Sequence, residues 1–161
     1  MPSWITWILY AVLDQEGVEF QPAKLRELLR GKASESEIED ALKVLINSGE
    51  VVQDEITGKL HKSRGLIDTP DEIPVALVRK LQSQLMYLGL ESLFQDTPTE
   101  REFGSLTMSL TRAEFEEIRF KLRQMRKQLH KDNSIKRMTS RGDRVYQLNL
   151  QLFPVTNEVK K

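Results

Sequence analysis

The stretch SESEIEDALKVLINSGEVV, residues 34–52, decides the fold. Ser34 followed three residues later by Glu37 is a capping box, in which the two side chains satisfy backbone donors of the first helical turn. Ile38, Ala41, Leu42, Leu45 and Ile46 then recur at helical spacing and make one apolar stripe. Asn47-Ser48-Gly49 closes the helix with a glycine that can take positive φ. The chain passes at once into Val51–Glu55, and Ile56-Thr57-Gly58 separates that run from Lys59–Lys62. Two short strand-like runs about a glycine-containing turn predict a hairpin.

Upstream, Trp4, Trp7, Ile8, Ala11 and Val12 predict a helix over residues 4–14, ended by Gln15-Glu16-Gly17. Pro22 suits a first helical position. Leu25, Leu28 and Leu29 give that second helix its apolar face, and Gly31 stops it. Three short helices followed by a hairpin is the winged-helix order, so residues 1–69 are expected to form a winged-helix-like domain.

Downstream, Thr69-Pro70-Asp71-Glu72-Ile73-Pro74 marks a boundary, because each proline biases its predecessor away from helix. A long helix is expected from Pro74 to about Phe94. Val78, Leu81, Leu85 and Leu88 step by 3, 4 and 3 along it, the spacing of a packing seam. Leu77, Met86, Leu90, Leu93 and Phe94 widen its apolar surface, so it must be covered on more than one side, by the rest of the chain or by a second copy. Residues 104–110 alternate small polar with apolar, as a strand does. Thr111 and Glu114 form a second capping box. The helix they open carries Phe115, Ile118, Leu122, Met125 and Leu129 on one face. Tyr146, Leu148, Leu150 and Leu152 then alternate with Gln147, Asn149 and Gln151, and Pro154 limits that strand. The expected class is α+β: a winged-helix-like half, a long linking helix, and a C-terminal β-α-β unit, the last two within 70–161. Two strands alone are marginal in water, so this sheet should gain strands from elsewhere in the chain or from a second copy.

Hydrophobic residues make up 39% and charged residues 30% of the 161, a globular balance without a bilayer-length apolar run. There is no cysteine, which removes disulfides and thiol chemistry and fits a reduced, cytoplasmic setting. The net charge of zero hides an asymmetry. Residues 1–100 hold 10 Lys+Arg against 17 Asp+Glu, a balance of −7, and residues 101–161 hold 14 against 7, a balance of +7.

No phosphate loop, dinucleotide fingerprint, zinc spacing or nucleophile elbow is present. His61 and His130 lack ligand-spaced neighbours, and Glu114, Glu116 and Glu117 crowd a helix start where the dipole favours acid. No catalytic, cofactor or metal residue is therefore expected. A winged-helix third helix reads DNA with its N-terminal residues. Here these are Glu35, Glu37, Glu39 and Asp40, which repel phosphate, with Lys43 the one cation on the helix. In the hairpin, Lys59, Lys62 and Arg64 are opposed by Asp54 and Glu55.

The phrases SWITWILYAVLD (3–14), TPDEIPVALVRKLQSQL (69–85), REFGSLTMSL (101–110) and DRVYQLNLQLFPVT (143–156) carry a resemblance spanning essentially the whole chain. It resembles an uncharacterised bacterial domain family of unknown function. In many members of that family the domain follows a helix-turn-helix, in proteins described as transcription regulators. The resemblance implies a regulatory role and supplies no catalytic or binding residues. This sequence starts at the domain itself, as expected of a stand-alone copy or an excised one.

The expected function is that of a non-enzymatic regulatory domain acting through protein contact or self-association, as a homodimer for instance. Val78, Leu81, Leu85 and Leu88 are the candidate interface, with the outward row Gln147, Asn149 and Gln151 second. The alternative is nucleic-acid binding through Arg119, Arg123, Arg126, Lys127, Lys136, Arg137 and Arg141, a clustered basic footprint. Neither a membrane nor a metal partner is expected.

Overall fold

The computed structural model describes residues 3–63 and 75–159. Among them the chain is α+β: α1 (Trp4–Val12), α2 (Pro22–Leu28), α3 (Glu35–Asn47), strands β1 (Val51–Gln53) and β2 (Leu60–Lys62), α4 (Val75–Gln95) and α5 (Arg112–Lys136). It divides into two compact units, Met1–Leu90 with Arg141–Gln147, and Glu91–Ser140 with Leu148–Lys161. The expected domain boundary at 69/70, Arg64 and the proline-marked segment lie outside the described residues. The division into units falls within α4.

The first unit has a core. Ile5, Leu9, Val12 and Leu13 meet Leu25, Leu29, Ala33, Ile38, Ala41, Leu45 and Val51, all buried. The largest wholly covered side chains are Leu9, Leu25, Ile38, Leu45 and Val12. Each aliphatic side chain so buried contributes about 1.5–3 kcal/mol. Local chemistry sets the helix starts. Ser3 Oγ accepts from Thr6 N at 3.3 Å at the head of α1, and Pro22 opens α2. At α3 the capping box is complete: Ser34 Oγ accepts from Glu37 N, and Glu37 Oε1 accepts from Ser34 N, each at 3.1 Å. After α2 the chain turns through two successive left-handed residues, Arg30 and Gly31, and Gly31 N donates to Arg26 O.

The buried face of α1 differs from the expected one. Trp7 stands 39% exposed, and Ile5, Leu9 and Val12 take the inside. Two apolar stripes compete on this short helix, and the compact aliphatic stripe fills the core while the indole remains at its rim.

The hairpin is antiparallel with Val51 opposite Lys62, Val52 opposite His61 and Gln53 opposite Leu60. Its strands are shorter than the sequence suggests, because Asp54 begins the turn. Asp54 Oδ1 accepts from Ile56 N and Thr57 N, at 2.8 and 3.0 Å, and Gly58 takes a positive φ. Lys62 ties β2 to the end of α1 through Asp14. After α5 the chain returns to the first unit. Gly142 N donates to Asp14 O and Gly142 O accepts from Glu16 N, both at 2.8 Å. Arg141 donates to Leu13 O at 3.3 Å, and Val145 packs against the core.

The hairpin is the one sheet among the described residues. Residues 104–110 and 146–152, expected as strands, belong to no strand. Their alternation is that of a half-buried strand, and a strand assignment depends on the ladder beside it.

Candidate interaction surface

Helix α4 has two apolar faces. The seam Val78, Leu81, Leu85 and Leu88 faces inward: Leu85 is 6% exposed and the other three are half-buried. The opposite side stays uncovered. Met86, Leu90 and Phe94 stack at i, i+4 and i+8 with Tyr87 beside them, and Phe94 is 84% exposed. The sequence placed Met86, Leu90 and Phe94 on the widened apolar surface, and Tyr87 extends it. Of the seam marked by the 3-4-3 spacing, Leu85 alone is buried.

In the second unit none of the described residues is buried. Helix α5 starts on a complete capping box, Glu114 N donating to Thr111 Oγ1 at 3.2 Å and Thr111 N donating to Glu114 Oε1 at 2.9 Å. Those hydrogen bonds, led by the Thr111 N–H, hold the Glu114 carboxyl below its usual range. None of its 25 residues is buried. Phe115, Ile118 and Leu122 are half-covered, while Met125 and Leu129, which continue the same face, are exposed. Phe120, Ile135 and Met138 add exposed apolar surface. The extended stretches repeat the pattern. Leu106 is 77% exposed, and Phe103, Met108, Leu148, Leu150 and Phe153 are also exposed. In the polar row, Gln147 and Gln151 are exposed and Asn149 is half-buried. Alternation in the sequence gave the direction of these side chains but could not reveal that one copy leaves them uncovered.

The basic residues divide by use. Arg119 pairs with Glu116 at 3.4 Å, Arg141 holds the Leu13 carbonyl, and Arg137 is half-buried. Arg123, Arg126, Lys127 and Lys136 are exposed along α5. On α3, Glu35, Glu37, Glu39 and Asp40 are all exposed beside Lys43. Of the hairpin cations, Lys62 is engaged by Asp14 and only Lys59 stands exposed among the described residues. His61 is on β2 and His130 on α5, both exposed. No helix among the described residues is long and apolar enough to cross a membrane.

An α+β chain whose distinguishing surface is uncovered apolar side chain is thus defined. The family model described as domain of unknown function DUF4423 matches residues 1–155, and the chain belongs to that family. No curated protein and no solved structure matches it.

Proposed function

We propose that the chain is a non-enzymatic interaction domain of a transcription regulator, working through contact with protein. The observation that carries this reading is the second unit, which has no buried side chain among its described residues while leaving Leu106, Met125, Leu129, Leu148 and Phe153 exposed. Exposed apolar surface of this extent marks an interaction site in a folded protein. The first unit supports the assignment from the other side. Its order of three helices and a hairpin is that of a winged helix, but the helix that would enter the groove presents Glu35, Glu37, Glu39 and Asp40. Acid at that place opposes phosphate, so this winged helix serves as a scaffold. Residues 104–110, α5 and 146–152 are read as a β-α-β unit that presents its apolar side chains to a partner.

The second reading, contact with nucleic acid, is favoured by the exposed cations Arg123, Arg126, Lys127 and Lys136 on α5. Titration of a fluorescent mixed-sequence duplex at low and near-physiological salt decides between them. The interaction-domain reading predicts no saturable anisotropy change at near-physiological salt. Tight binding that weakens steeply with salt and vanishes on charge reversal at Arg123, Arg126 and Lys127 would assign the function to nucleic acid instead.

A further inference from the structure

Two helices of the chain carry matching rows. On α5, Phe120, Arg123 and Lys127 recur at i, i+3 and i+7 and so share one side, opposite the stripe of Ile118, Leu122 and Leu129. Phe120 is 63% exposed there, and Arg123 and Lys127 are exposed beside it. On α3, Glu37, Asp40 and Val44 recur at the same spacing, outside the buried face of Ile38 and Leu45. All three are exposed. Lys43 falls about a quarter-turn off that row.

The cationic row has no answer within its own helix. Glu116 takes Arg119 and Glu117 takes Lys121, but no acid stands three or four residues from Arg123 or Lys127. Instead Arg119, Arg123, Lys127 and Lys131 follow one another at i+4, a spacing at which like charges weaken a helix. Carboxylates brought from outside relieve that repulsion. A phosphate backbone would satisfy the cations and leave Phe120 uncovered. A surface that is acidic and also carries an apolar side chain satisfies both, and α3 is such a surface.

Laid antiparallel, the two rows match level by level. With Val44 against Phe120, Asp40 falls beside Arg123 and Glu37 beside Lys127. At ~1.5 Å of rise per residue the paired levels agree to within ~2 Å. Glu37 Oε1 is held by Ser34 N in the capping box, and the second carboxylate oxygen can accept from Lys127. We infer that α5 of one copy docks on α3 of a second copy through these three pairs. The contact is heterologous, one patch meeting a different one. Its strength is mostly charge between exposed groups, so it is weak and sensitive to salt. It names a partner for the interaction domain and rests on that reading, and it gives a use to the acid that sets α3 against phosphate.

The test is sedimentation equilibrium on the full chain, from about ten micromolar to about one millimolar, in ~0.05 M and ~0.5 M salt. The wild type should associate at the lower salt, with its dissociation constant raised about tenfold or more at the higher. Arg123→Asp and Asp40→Arg should each raise it by about as much, since each sets like charges opposite one another. Phe120→Ala, which alters no charge, should raise it about threefold or more. An equimolar mixture of the Arg123→Asp and Asp40→Arg proteins should associate as the wild type does, because each copy offers the charge that the other now lacks. Lys24→Asp and Glu39→Arg make the same changes of net charge at exposed sites off the rows and should leave association unchanged. A wild type that stays monomeric throughout overturns the inference. So does association untouched by Arg123→Asp and Phe120→Ala, or weakened by the two charge reversals and not recovered in their mixture. The duplex titration reads independently of these outcomes. A monomer that binds no duplex removes the second copy and leaves the interaction reading standing, whereas salt-steep duplex binding removes that reading itself.

Discussion

At the scale of single residues, Lys62 shows how a charge that looks available in the sequence can be committed to the fold. Its Nζ lies 2.6 Å from Asp14 Oδ2, with the two side chains only 17% and 19% exposed. It also sits 4.3 Å above the Tyr10 ring. The ammonium therefore closes the hairpin onto α1 and is not displayed to a partner. Removing one member leaves the other charge poorly solvated, so Lys62→Met should lower stability by about 1–3 kcal/mol, read by thermal or urea denaturation. Asp54 acts by pH. The Thr57 N–H first, then the Ile56 N–H, donate to its carboxylate and lower its affinity for a proton. A folded value below the unfolded one means that its stabilisation is present above the unfolded value and is lost as pH falls through the folded one. Acid denaturation of Asp54→Ala should accordingly start from lower stability at neutral pH and converge with the wild type below the ordinary carboxylate range. Parallel acid limbs for the two proteins would contradict this account of the turn.

At the scale of elements, what the sequence discloses is what depends on neighbours three or four residues away. Ser34 with Glu37 and Thr111 with Glu114 could be read as capping boxes because a box is complete within one turn, and both are made. Ser34→Ala and Thr111→Ala should each cost about 1 kcal/mol of helix stability. The first is expected to appear in the melting of the core unit, and the second in faster amide exchange through the first turn of α5. The face of α1 was less legible, since its sequence offers two apolar stripes and the choice between Trp7 and Leu9 is made by what α3 packs against. The same holds for α4. Along its regular seam ending at Leu88 the chain buries Leu85, while Met86, Tyr87, Leu90 and Phe94 stand exposed. Least legible were the stretches 104–110 and 146–152, expected as strands and assigned to none. Alternation states which side chains share a face, but a ladder is a relation between segments that alternation alone does not specify.

At the scale of the whole molecule, the chain distributes its apolar residues unevenly. The first unit gathers a core from α1, α2, α3 and β1, and residues 141–147 return to it through Gly142 and Val145. The second unit carries apolar side chains in α5 and its flanking stretches, and none of those described is fully buried. The opposite charge balances of residues 1–100 and 101–161 set a field and decide little about the fold. The uncovered surface is the stronger determinant, because burial is the dominant favourable term in folding and association alike. The proposed interaction therefore belongs to the C-terminal unit, with the three helices and hairpin of the first unit as its support.

The most direct measurement of this claim is amide hydrogen exchange, followed by mass spectrometry, over peptides covering 104–110 and 146–152 at several protein concentrations. Peptides from α3, which carries Ile38 and Leu45 in the core, serve as the protected reference. If protein contact covers this surface, both stretches exchange more slowly at tens of micromolar than on dilution or in Leu106→Asp, while α3 stays protected throughout. Exchange of both stretches that is the same at every concentration and in Leu106→Asp, beside a protected α3, would contradict it.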